Sequence, residues 1–390
     1  MNYNHPNRNS STVSIRLTCA IVFLLFSFAW FFCFQADLMA AAQHVLSGGL
    51  TRYNRLLSPI IVVVSLQLLQ LAVYSFLRLR KRTHALTYFP SLLILAMLTD
   101  ISRDIDVESS GGIWWWAFAL AFVAWIPLAL LARSLQDVEP AHEPVGLFSR
   151  AMWINMVQML VLFVMVALVG NTNAVFHYRM KAEAALLRGD WEGALQAGQK
   201  SLESDANLQM VRMYALSRTG EMGERLFRYP IVAGSRAMLP TGGESRTTLY
   251  PVDSLYRYFG ARPASPMSPM RYLQLMARRD SVVNMTLADY ELCGLLIDKR
   301  MDEFVSRLCH YYAMDDSLTA DRLPRHYREA LTLYTHLRAN PRIVYHNPVM
   351  EEDFNNLQEL EAKYPDPTER KGKVEDQYRG TYWYYYEYQK

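Results

Sequence analysis

The chain has 390 residues, 51% of them hydrophobic and 20% charged, with a formal net charge of +3. The charge is unevenly placed: residues 1–175 hold 11 Lys+Arg and 8 Asp+Glu, which leaves 29 of each sign for residues 176–390. That split excludes a simple soluble enzyme, the neutral C-terminal half argues against a nucleic-acid binder with its basic face, and four cysteines exclude a disulfide scaffold or a Cys-rich zinc module.

A membrane-crossing helix needs about 20 mostly apolar residues, because lipid offers no partner to an open backbone group. Leu17–Gln35, Leu56–Leu77, Ile113–Ala132 and Ala151–Gly170 meet this without one Asp, Glu, Lys or Arg. A fifth stretch, Thr83–Thr99, has 17 residues and carries Pro90. At roughly 25 Å of helix it is read as a short span, which gives a bundle of about five transmembrane helices over residues 17–170.

Orientation follows from the basic residues of the short loops. Arg8 and Arg16 in the tail 1–16, then Arg78, Arg80, Lys81 and Arg82, then Arg133 and Arg150, place eight basic residues on one side against three on the other. The N-terminus is therefore expected in the cytoplasm and the C-terminal half outside it, although Arg179, Lys181 and Arg188 closely follow the last span. The apolar core of the first span exceeds the roughly 7–15 residues of a signal peptide, so it reads as a retained anchor. Trp114, Trp115 and Trp116 open the fourth span as an interfacial aromatic belt.

Between the third and fourth spans, Asp100–Gly112 carries four acids and one arginine. Asp104 and Asp106, with Asp37 after the first span, are the best carboxylates on which a membrane-embedded transferase acting on a lipid-linked substrate could hold a divalent metal. A solvated turn explains them as well. Within the four long spans Gln67, Gln70, Asn155 and Gln158 are polar residues that suit helix packing.

Beyond residue 170 the pattern becomes that of helix pairs. Ala182, Ala185 and Leu186 precede a turn at Gly189-Asp190-Trp191-Glu192, followed by Ala194, Leu195 and Leu202; a second pair turns at Gly220-Glu221-Met222, one repeat length later. Tyr178, Ala182, Gly189, Asp190, Trp191, Glu192 and Ala194 resemble the tetratricopeptide repeat. The second unit departs from it, with Met222 at the aromatic position and Arg225 at the alanine. The resemblance implies a stack of helix pairs over residues 171–228 with a peptide-binding concave face; it does not imply any catalysis.

Residues 229–270 contain six of the 17 prolines and read as an irregular connection with one short helix near Val252–Phe259. Apolar spacing of three and four then resumes at Leu287–Lys299, Met301–Ala313, Pro324–Leu337 and Glu351–Lys363, giving further hairpins over residues 271–364. The fold class is therefore all-α, a transmembrane bundle followed by an α-solenoid. A charged linker is expected at Asp366–Glu375, then an aromatic tail of Tyr382, Trp383, Tyr384, Tyr385, Tyr386 and Tyr388. Left in water such a run is an aggregation hazard, so it is expected to be covered by the protein's own helices, by the membrane interface or by a partner. Through Gln35–Asn54 and Thr381–Tyr388 the whole layout also resembles an uncharacterised family of multi-spanning Bacteroidota membrane proteins, which implies a bacterial envelope and no activity.

No nucleotide loop, metal-protease motif or nucleophile elbow occurs, and no His-x-x-x-His pair marks a zinc site. No cofactor is therefore expected. Cys293 and Cys309 flank the turn near Arg300 on consecutive helices and could pair outside the cytoplasm, or remain buried thiols. The leading functional expectation is a membrane-anchored interaction or scaffold protein in the bacterial inner membrane. Its partners would be the lipid bilayer and a periplasmic protein or peptide, with no nucleic acid, and the embedded transferase is the alternative.

Overall fold

The computed structural model describes residues 7–108, 114–135, 148–279, 284–312 and 322–389. Residues 109–113 of the acidic loop, Ala313, Lys390 and the side chains of Arg8, Lys81, Glu108 and Trp115 lie outside that description. Every regular element among the described residues is helical. The chain divides into two compact units, Met1–Asn173 and Ala174–Lys390.

In the first unit α1 (Asn7–Ala29) passes into a π-helical turn at Trp30–Phe34, followed by α2 (Ala36–Leu46) and α3 (Leu57–Leu77). A 3-10 stretch (Lys81–Tyr88), α4 (Phe89–Thr99), one-turn α5 (Ile105–Glu108), α6 (Trp115–Leu135) and α7 (Arg150–Val169) complete it. Among the described residues four helical stretches are long and apolar enough to cross a membrane: Val13–Phe34, Leu57–Leu77, Trp116–Leu135 and Arg150–Val169. Their outer faces are apolar and uncovered, with Leu25 67%, Phe76 77% and Leu168 78% exposed. Contiguous apolar surface on that scale suits lipid, not water.

The expected fifth long helix does not form. Pro90 lies in the first turn of α4, where its missing N–H costs nothing, so the α-helix begins at Phe89 and has only 11 residues, about 16 Å. Upstream, the backbone winds as a 3-10 stretch whose Ala85 N–H is taken by the Asn155 side chain at 2.8 Å. The segment still follows its neighbours in register. Gln70 of α3 donates to Thr87 and Ser91 donates to the Leu66 carbonyl, both at 2.8 Å, an antiparallel pairing. Ala85 meets Asn155 near the start of α7, and the N–H of Asn171 just past its end donates to the Thr99 carbonyl at 2.9 Å, a parallel one.

The second unit starts with α8 (Ala174–Leu187), α9 (Trp191–Gln196), α10 (Ala206–Thr219) and α11 (Met222–Arg225). Ala182 and Ala194 are fully buried where α8 and α9 meet, and the small side chains permit that approach. Gly189 turns the chain at φ +73, and Asp190 caps α9 by accepting the Gly193 N–H at 2.8 Å. With six residues in α9 and four in α11, these second helices are too short for a regular stack of pairs.

The proline-rich connection carries two 3-10 turns and α12 (Val252–Phe259). It is fixed by buried polar groups instead of by a ladder. The Glu183 carboxylate accepts the N–H groups of Thr248, Leu249 and Tyr250 at 2.8, 2.6 and 3.1 Å, while Arg179 binds its other oxygen at 2.9 Å. Asp298 similarly holds the Ser235 N–H and hydroxyl at 2.9 and 2.6 Å.

Next come α13 (Pro269–Arg279), α14 (Met285–Ile297), α15 (Met301–Tyr311), α16 (Arg325–Leu337) and α17 (Pro348–Lys363). The stretch expected as a charged linker is instead α18 (Pro367–Tyr378). Asp366 accepts the Glu369 N–H at 2.8 Å as its N-cap, Pro367 occupies the first turn, and fully buried Val374 anchors it. The aromatic tail forms α19 (Tyr382–Tyr388), capped by the Thr381 hydroxyl.

Candidate functional site

The tetratricopeptide-like residues fall on the hairpin of α8 and α9, where Trp191 lies against Arg218; Arg218 in turn lines a cavity of about 430 Å³ with Tyr214, Tyr250, Ser254, Arg257 and Tyr258. Gly220 ends α10 at φ +73, which leaves Arg218 in its last turn. The Arg218 guanidinium sits 4.4 Å from the Trp191 ring centre and 4.7 Å from that of Tyr258. Two aromatic rings thus flank the cation, a contact that leaves its N–H groups free to donate.

The walls are themselves fixed. Tyr258 donates to the Ser217 carbonyl at 3.1 Å, and the hydroxyls of Tyr214 and Tyr250 lie 3.0 Å apart. Burial, with the Tyr250 hydroxyl beside it, pushes the Tyr214 hydroxyl well above its ordinary range, so it stays protonated. Among the described residues neither Arg218 nor Arg257 has a carboxylate partner. The other signature residues support the turn: Glu192 pairs with both Arg225 nitrogens at 3.0 Å, and the Tyr178 ring lies so close to Gly198 that a Cβ there would sit 2.5 Å from it.

Sequence reading missed Arg218, Arg257, Tyr250 and Tyr258 as a group. Arg218 precedes the proline-rich connection and the other three lie within it, and the one local hint was the aromatic density of Tyr250, Tyr256, Tyr258 and Phe259. The cavity can hold an anion or a carboxylate-bearing segment. It contains no nucleophile paired with a base.

The candidate carboxylates are placed differently. Asp37 lies 4.0 Å from Arg55, the Asp104 N–H is bonded to the Ser102 hydroxyl, and Asp106 lies in α5. Although α2 packs against α5, among the described residues no group of three or more His, Cys, Asp or Glu side chains could hold a metal ion.

The structure does not join Cys293 and Cys309: both are free thiols. Cys293 is buried with its sulfur 3.6 Å from the Tyr327 hydroxyl, while Cys309 directs its thiol to the Val305 carbonyl of its own helix at 2.9 Å. Burial raises both thiols, so neither is an activated nucleophile. Denatured, unreduced protein is expected to show four reactive thiols in a maleimide count, and a count of two would establish a bridge.

The aromatic tail is covered within its own unit. Trp383 is 1% exposed and donates its indole N–H to the Glu329 carbonyl at 2.7 Å. The Glu329 carboxylate accepts the Tyr382 N–H at 2.7 Å and bonds His326 Nδ1 at 2.9 Å. Burial pushes this carboxyl up, but His326, Arg325 and the Tyr382 N–H outweigh it and hold the group below its ordinary value. Lys299, at φ +57, donates to the carbonyls of Tyr386 and Gln389 at 2.8 and 2.6 Å, closing the C-terminal end of α19. Tyr385 and Tyr388 send their hydroxyls to the Ile297 carbonyl and the Glu361 carboxylate at 2.8 and 2.6 Å.

A model for a family of unknown function, DUF6057, matches residues 267–389. The match takes in the helices from α13 to α19 and stops short of the Arg218 cavity. No curated protein and no solved structure matches the chain.

Proposed function

We propose that this is a membrane-anchored protein-interaction protein whose second unit grips an anionic segment of an envelope partner in the Arg218 cavity. The observation that carries the reading is a pair of guanidinium groups without carboxylate partners among the described residues, in a tyrosine-walled cavity. Acidic side chains or a terminal carboxylate would bind there by charge-assisted hydrogen bonds at Arg218 and Arg257, with the tyrosines excluding water. The tetratricopeptide-like turn then acts as the support that holds Trp191 beneath Arg218.

The proposed setting is the bacterial inner membrane, with the N-terminus in the cytoplasm and the second unit in the periplasm. Its support is the basic RLRKR cluster together with the register of residues 85–99, which run beside α7 from Asn155 to Asn171. A 3-10 stretch of eight residues and an α-helix of 11 add to about 32 Å, the thickness of a hydrocarbon core. This composite segment would complete an odd number of crossings. Alkaline phosphatase fused after Asp205 is expected to be active and a fusion after Lys81 inactive; the reverse pattern would overturn the placement. For the binding role, a photo-crosslinker at Ser254 of the full chain in cells is expected to capture a partner. Arg218→Ala with Arg257→Ala should lower that capture about tenfold or more, and undiminished capture would refute the site.

A further inference from the structure

A second cavity, of about 310 Å³, lies in the first unit between α1, α3 and the 3-10 stretch. Its polar side is made by Arg16, Gln67, Gln70, Tyr74, His84 and Tyr88. Some of these groups satisfy one another: Gln67 donates to Gln70, and Gln70 to Thr87. Two buried acceptor atoms among them have no partner.

His84 is 2% exposed, with Nδ1 at 3.4 Å from the Leu79 carbonyl. A carbonyl only accepts, so Nδ1 carries the hydrogen and Nε2 of the neutral ring is an acceptor. That Nε2 is buried and has no partner. Gln67 donates its amide N–H to Gln70 at 2.9 Å, which leaves its own buried carbonyl oxygen also without a partner. Both orphans are acceptors. Buried polar groups left unsatisfied are costly, so the occupant must bring hydrogen-bond donors.

Arg16 adds the charge requirement. Its guanidinium lies 4.3 Å from the Tyr74 ring centre and has no carboxylate ion pair among the described residues. An ammonium headgroup would be repelled by it, and a bare phosphate would satisfy Arg16 but offer nothing to His84 and Gln67. A phosphate bearing hydroxyl groups meets both demands. The remaining walls, Val13, Leu17, Ala20 and Leu71, are apolar, and Leu17 and Leu71 are 60% and 45% exposed on the lipid-facing side. The volume fits a headgroup, at the lower end of the roughly 300–1,000 Å³ of small-molecule sites.

We propose that this cavity binds the polyol-phosphate headgroup of an anionic lipid, with the phosphate on Arg16 and the headgroup hydroxyls donating to His84 Nε2 and the Gln67 carbonyl. The acyl chains leave along Leu17 and Leu71 into the bilayer. This binding is independent of the Arg218 cavity.

The test uses the full-length protein in neutral detergent, titrated with phosphatidylglycerol, phosphatidylcholine, phosphatidic acid or water-soluble glycerol 3-phosphate, with bound lipid counted by native mass spectrometry. Phosphatidylglycerol is expected to bind about tenfold or more tightly than either other lipid. Arg16→Gln and His84→Phe should each weaken it by about tenfold, with lipid-free melting temperatures unchanged. Should a variant melt early, the ranking of the three lipids on the unaltered protein decides alone. Equal affinity for phosphatidylglycerol and phosphatidylcholine removes the charge recognition and overturns the proposal; equal affinity for phosphatidic acid removes the hydroxyl recognition and does the same. Glycerol 3-phosphate binding as tightly as the lipid would overturn the membrane source in favour of a soluble polyol phosphate.

Discussion

Trp383→Ala is expected to destabilise the second unit by roughly 3–5 kcal/mol, as truncation of a buried aromatic does. At about 2–4 °C per kcal/mol for a unit of this size, its melting transition should fall by about 6–20 °C, measured on the full chain in detergent by near-UV circular dichroism. The ring is 1% exposed, meets Phe354 at 5.3 Å between centres, and its indole N–H satisfies the Glu329 carbonyl. Removal therefore opens a cavity and orphans an acceptor together. Tyr388→Phe is the control: the ring stays and only the hydroxyl bond to Glu361 is lost, a change of about 1 kcal/mol or less. A Trp383→Ala melt within about 2 °C of the parent would show that α19 is not part of the cooperative core.

Glu183→Ala should be equally damaging for a different reason. It leaves Arg179, 2% exposed, without its anion, and a buried charge stripped of its partner costs about 3–5 kcal/mol. The N–H groups of Thr248, Leu249 and Tyr250 lose their acceptor at the same time. Adding Arg179→Met removes the stranded charge but not the orphaned donors, so the double variant is expected to recover only part of the loss. Limited proteolysis gives the readout, with first cleavage moving into residues 244–251. Parent-like protection of that stretch would mean it is held by packing alone.

These polar fixings explain which features were legible beforehand. Four long apolar helices and α12 follow from local composition, and so do the helices resuming after residue 284, because each depends on spacing within a dozen residues. The 83–99 segment is different: hydropathy counts residues, but here the backbone form is set by Asn155, 70 positions away. The helix at Pro367–Tyr378 was hidden by its charge, although Asp366-Pro367 is a start signal in itself. One repeat signature predicted a turn correctly, with Gly189 at positive φ and Asp190 as cap. It could not set the length of the helix after that turn. Both cavities were illegible for the same reason. Arg218 with Arg257, and Arg16 with His84, meet only through folding, and basic residues near the N-terminus speak in sequence only to topology.

The seat of α19 bears on how the second unit comes apart. A linear array of repeats touches only its neighbours and can fray from either end, one module at a time. Here Tyr382 and Tyr385 press on Phe227, His326 accepts the Phe227 N–H 99 positions away, and Tyr385 reaches the Ile297 carbonyl 88 positions away. The far end of the chain is thus wedged among its middle. The entropy of such long closures is lost before the non-local contacts reward it, which slows folding and binds the modules into one transition. The unit should melt in a single step, a keystone arrangement in which losing the last helix undoes the whole arch.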